Sequence, residues 1–153
     1  MKGLNRRNDA LSASFYTTYL TEHEDTLAVF DGQRCLAEAK EKGVLPLYRL
    51  VTQQPDLCKG AIIADKVTGR AAAALTIVSG AAHLYTDLIS ESALALLQQA
   101  SFPVTYGKCV PRILNRKKDG PCPMEHLVRD AQTPEQAVAM LTAFFQQKET
   151  GVK

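Results

Sequence analysis

Asp65-Lys66-Val67-Thr68-Gly69-Arg70, running straight into four alanines at 71–74, constrains the fold of this chain more than any other stretch. The apolar run 61–64 before it has the length and character of a buried strand. The alanine-rich run after it favours a helix, which Ser79-Gly80 would stop because glycine readily takes the left-handed cap. An acid, two bases and a glycine therefore fall where a strand ends and a helix begins. That is where α/β proteins place their sites.

The rest of the chain repeats the alternation. Leu11, Phe15 and Tyr19 recur every fourth residue, with Tyr16 and Leu20 beside them, which predicts a helix over 9–22 after a flexible start at 1–8. Residues 27–30 read as a strand, Asp31-Gly32 as a hairpin turn and 34–39 as the return strand. Pro46 opens a short helix whose apolar face is Leu47, Leu50 and Val51, and Pro55 ends it by biasing Gln54 away from helix. Residues 82–89 form the next strand. Ser90 caps a helix carrying Leu94, Leu96 and Leu97, and 103–110 is a strand whose Pro103 fits only at its start or on an edge. Residues 111–132 are expected as a long functional loop. Thr133-Pro134-Glu135-Gln136 is a capping box, and Ala137, Val138, Leu141, Phe144 and Phe145 form the stripe of a last helix. No repeat or linker divides the 153 residues, so a single domain over 1–153 is expected. A hairpin feeding β-α-β units implies an α/β fold: a mixed sheet with helices on both faces, a three-layer α/β/α arrangement.

Charge and composition exclude several classes. A formal charge of +2 is no signature of nucleic-acid binding. No apolar stretch approaches the roughly 20 residues of a membrane span. The polar N-terminus lacks the apolar core of a signal peptide, which points to the cytoplasm. Cys35, Cys58, Cys109 and Cys122 stand far apart, without C-x-x-C spacing, and are expected as reduced thiols.

The element order resembles the cytidine-deaminase-like fold. In zinc deaminases the helix after the hairpin opens with a His or Cys ligand and a nearby Glu, and a P-C-x-x-C motif supplies two thiolates. Here the first helix opens at Gly43-Val44-Leu45-Pro46 and the second at Val67-Thr68-Gly69-Arg70-Ala71, with no ligand at either place. Asp65, Lys66, Gly69 and Ala71 to Ala73, followed downstream by Asn115, Arg116 and Cys122-Pro123-Met124-Glu125, resemble an uncharacterised bacterial family. That family is a domain of unknown function with the deaminase-like fold and without its zinc ligands. The resemblance implies a fold and a site, no zinc, and no particular reaction.

The candidate site residues follow. A helix N-terminus presents free N–H groups and a positive dipole end, Gly69 admits close approach, and Lys66 and Arg70 add charge, which together suit a phosphate. The plain structural alternative has Asp65 capping a turn, Gly69 at positive φ and both bases solvated. Ligand binding is expected from Asp65, Lys66, Gly69, Arg70, Asn115, Arg116, Cys122 and Glu125. A small phosphorylated, nucleotide-like molecule is the expected partner, and an apolar terminal helix also suits a homodimer. Cys122, Glu125 or Asp65 could instead serve a metal-independent enzyme, although Cys122 reads more readily as a buried loop anchor than as a nucleophile. Lys108, Arg112, Arg116, Lys117 and Lys118 could bind RNA, but only Tyr106 is near to stack a base. His83, Tyr85 and Asp87 alternate and so share one strand face, where Tyr85 would line a pocket opening on that side.

Overall fold

The computed structural model describes residues 5–114 and 123–149. Its elements run α1 (Asn5–His23), β1 (Leu27–Asp31), β2 (Arg34–Ala39), α2 (Leu45–Gln53), α3 (Pro55–Cys58), β3 (Ile62–Thr68), α4 (Arg70–Ser79), β4 (His83–Ser90), α5 (Glu91–Gln99), β5 (Val104–Val110), α6 (Pro123–Leu127) and α7 (Pro134–Glu149). The strands form one mixed sheet in the order β2-β1-β3-β4-β5. The β1 strand pairs antiparallel with both β2 and β3, whereas β3-β4 and β4-β5 are parallel.

Alternation along the strands creates two apolar clusters. Leu27, Val29, Ile63 and Leu84 face one way and pack with apolar residues of α2, α4, α5 and α7. Ala28, Phe30, Ala64 and Tyr85 face the other way and pack with Tyr16 and Leu20 of α1. The α1 cluster is aromatic: Tyr16 lies 4.9 Å from Phe30 and 4.7 Å from Tyr85, ring to ring, and its hydroxyl donates to Gly32 O. Ala71, Ala72, Ala73 and Ala74 are all buried, so α4 needs small residues around most of its girth. It touches α2, α5, α6 and α7 as well as β3. The expected stripe of α7 is core: Ala137, Leu141 and Phe145 are buried, with Val138 and Phe144 packed beside them.

The termini of the elements follow local chemistry. The Gly80 φ of 81° supplies the left-handed cap of α4. Ser90 accepts from Ala93 N at 3.1 Å and caps α5. Thr133 accepts from Gln136 N at 3.1 Å, while Gln136 Oε1 accepts from Gln132 N at 2.7 Å, closing a capping box displaced by one residue. Cys35, Cys58 and Cys109 are free thiols.

Three expectations need correction. The central strand does not stop at residue 64 but continues to Thr68, because Asp65 and Lys66 pair backbone to backbone despite their charge. The segment 111–132 is not all loop, since Pro123 opens the short helix α6. The first helix spans Asn5–His23, longer than the expected 9–22. Tyr85 is buried against α1 and looks away from the start of α4. Among the described residues no helix is long and apolar enough to cross a membrane.

Candidate functional site

The carboxyl ends of β3 and β4 lead directly into α4 and α5, so two helices begin side by side at one end of the parallel strand pair. Gly69 and Ser90 are their N-caps. Both α4, with ten residues, and α5, with nine, are long enough to direct a positive dipole end at this place.

The start of α4 already has an acceptor. Glu125 of α6 places Oε2 on the N–H of Arg70, and Ser90 Oγ donates to Glu125 Oε1 at 3.5 Å. Gly69 makes this approach feasible. A Cβ there would fall onto Oε2 and lie 2.9 Å from Cδ of Glu125. Its φ of −96° and ψ of −174° are open to any residue, so the glycine is required by space and not by backbone conformation. Burial pushes the Glu125 carboxyl above its ordinary range, against the N–H of Arg70, the Ser90 hydroxyl and the Arg70 charge, which pull it down.

Arg70 is held by the protein itself. Its guanidinium donates to Ser92 Oγ at 3.2 Å and to Ala131 O at 3.0 Å, while its buried Nε has no hydrogen-bond partner. The side chain thus ties α4 to the first turn of α5 and to the segment entering α7.

Asp65 lies opposite Leu27 of β1 and beside Thr86 of β4, on the many-helix face. Its Oδ2 is 3.4 Å from Thr68 Oγ1, which donates to Thr86 Oγ1 at 2.9 Å. Side chains three apart do not meet along a regular strand, so β3 is irregular at this end. Desolvation pushes the Asp65 carboxyl up to about 7, only partly offset by Thr68 and the N–H groups of Val67 and Lys66.

Lys66 does not join this group. Two positions after Ala64 it faces the α1 side, where its charge acts on Asp87. The structure therefore brings Gly69, Arg70 and Glu125 into contact, places Asp65 beside Thr68 at the end of β3, and leaves Lys66 on the other face. Asn115, Arg116 and Cys122 lie outside the described residues, as do Lys117 and Lys118, while Lys108 and Arg112 are exposed. Sequence reasoning missed Thr68, Thr86, Ser92 and the role of Ser90 beyond capping. A readable signal was the row of hydroxyls at the strand ends, which have no reason to be fully buried in a plain core. Thr68, Thr86 and Ser90 are at most 1% exposed.

Among the described residues no cluster of three or more His, Cys, Asp or Glu is placed to hold a metal ion. A groove of about 510 Å³ lies elsewhere, between α4 and α7, lined by Val78, Val138 and Ala143 among others. Its mostly apolar walls carry none of the groups gathered at the strand ends.

Residues 16–145 match the family model described as "TM1506: Domain of unknown function (DUF1893)". The chain belongs to that family. It is similar to the crystal structure of a DUF1893 family protein (TM1506) from Thermotoga maritima, with a TM-score of 0.78 and 24% identity over 83% of this chain and 85% of that one. That likeness shows a shared fold. No curated protein matches.

Proposed function

We propose that this DUF1893 domain binds a small phosphorylated, nucleotide-like ligand where β3 and β4 end, using no zinc. The observation that carries the reading is the seat of Glu125. Donors at the start of α4 are aimed at an oxygen acceptor, and a side-chain carboxylate sits on them. A ligand phosphate of similar charge and geometry would exchange with that carboxylate, with Gly69 giving it the same close access. Asp65, Thr68 and Thr86 would meet the uncharged part of the ligand. Lys66 stays outside the proposal because it faces α1.

The reading includes the finer architecture. The order helix, hairpin, helix, strand, helix, strand, helix, strand and the placement of α1 opposite the other packed helices support a three-layer, cytidine-deaminase-like domain. In such a fold the start of α4 would carry two thiolates. This chain has Gly69, Arg70 and Ala71 there, and Glu125 against them.

A metal-independent enzyme is the second reading, favoured by Asp65, whose carboxyl is pushed up to about 7, and by Glu125, whose carboxyl burial raises above its ordinary range. Titration calorimetry with a panel of nucleoside monophosphates tests the first. Wild type should bind at least one, Arg70→Ala should bind at least about tenfold more weakly, a loss of about 1.4 kcal/mol, and Glu125→Gln should bind more tightly. Absence of binding throughout, or indifference to Arg70, would end it.

A further inference from the structure

We propose that β5 is an interaction edge for a second copy of this chain, pairing antiparallel with the partner's β5 about a two-fold axis at Gly107. The proposal is independent of the ligand reading above.

The argument begins with the two edges of the sheet. An edge strand offers unpaired backbone donors and acceptors to any other chain, and monomers blunt it with bulges and charges. The β2 edge is blunted in this way. Its pairing with β1 shifts register between Val29 and Phe30, and Arg34 and Glu38 are exposed on it. The β5 edge is not. It keeps one register against β4 from Leu84↔Val104 to Ser90↔Val110, with no residue inserted. Its seven residues hold no proline and a single charge, Lys108. Among the described residues no backbone group pairs with its outer side. The centre of the strand is its most open part: Tyr106, Gly107 and Lys108 are exposed, and Tyr106 keeps 43% of its surface in solvent. The apolar stripe of α7, by contrast, faces inward as core.

The order of residues along β5 selects the occupant. A two-fold axis normal to the sheet makes the paired strands antiparallel and preserves their faces, so the axis falls on a residue. With the axis at Gly107, all seven residues find an opposite. Val104 meets the partner's Val110, Thr105 meets the partner's Cys109, and Tyr106 meets the partner's Lys108. Each ammonium then lies beside an aromatic ring, a cation–π contact, and the two lysines stay apart. Glycine opposite glycine leaves the axis free of side chains. An axis at Lys108 would set two ammonium groups against each other. An axis at Tyr106 would set Lys108 against Val104 and carry Cys109 and Val110 past the end of the partner strand. The chain is thus complementary to itself at one register.

Analytical ultracentrifugation of the full chain over a dilution series tests the proposal. Gly107 is no clean place for a variant, because a Cβ there would lie 2.8 Å from Asp87 O of the same chain. The exposed positions beside it are. Wild type should sediment as a dimer that dissociates on dilution. Tyr106→Lys sets like charges directly opposite and should weaken the dimer at least about tenfold. Adding Lys108→Glu should restore it, because opposite charges then face each other twice across the axis. A wild type that is monomeric at every concentration, a dimer indifferent to Y106K, or a Y106K/K108E chain no tighter than Y106K overturns the proposal. Hydrogen exchange on wild type needs no variant to fold. The amides of 104–110 should lose protection on dilution while those of β2 do not, and unchanged protection in β5 overturns the proposal as well.

Discussion

Gly69 and Glu125 make the sharpest pair at the scale of single residues. The glycine has no unusual φ to serve, so its replacement is a test of space alone. Alanine at 69 would force the Glu125 carboxylate off the Arg70 N–H, with an expected loss of about 1–3 kcal/mol typical of overpacking. In a Glu125→Ala background the same change should be nearly neutral, because the clash has no partner. Urea denaturation of the four proteins in a double-mutant cycle measures this. Equal costs in both backgrounds would show that the two residues are not coupled. The sequence already marked Gly69 and Glu125, but as two motifs 56 positions apart with nothing to join them. Their meeting depends on how α6 lies against α4, and no local pattern encodes that. Conversely, Lys66 and Arg70 look paired in the sequence, yet Lys66 faces α1 from β3 whereas Arg70 opens α4 and is held by Ser92 and Ala131.

Among the elements, strands and longer helices were legible because each has its own period and its own end signals. The Asp31-Gly32 turn, Pro46, Gly80, Ser90 and the Thr133 box all act locally. The missed helices, α3 with four residues and α6 with five, are too short to show a helical repeat. The end of β3 was misread for a different reason. Polar residues normally close a buried strand, but here they continue it, since their backbone groups still pair with β1 and β4. Ser90 offers a measurable case at this scale. It both caps α5 and touches Glu125, so Ser90→Ala should cost about 1–2 kcal/mol in a thermal or chemical melt, the range for a lost N-cap. A change within a few tenths would show that the α5 cap is dispensable.

For the molecule as a whole, the raised carboxyls set the direction of its pH response. Asp65, Asp87 and Glu125 all hold protons more tightly when folded than when unfolded. Their contribution is complete below the unfolded carboxylate range near 4 and is lost as pH rises through the folded values. Stability should therefore decline from about pH 5 toward pH 7 and flatten beyond the Asp65 value of about 7. The slope for one such group is at most about 1.4 kcal/mol per pH unit. Asp65→Asn should remove part of the slope and raise stability at pH 8. Urea midpoints between pH 5 and 8 decide the matter, and a wild type that grows more stable across that range would contradict it.

The burial of the alanines of α4 has a consequence in time. A chain being synthesised acquires its β1-β2 hairpin early, from neighbouring residues, and its parallel strands as each crossover helix is completed. The α4 helix waits longer, because one of its neighbours, α7, begins only at Pro134. Until that segment leaves the ribosome, the small-residue surface of α4 stands partly uncovered, beside an Arg70 still missing its contact with Ala131. A chain cut before Pro134 would therefore lack the helix that covers this surface, and its core would stay unsealed on that side.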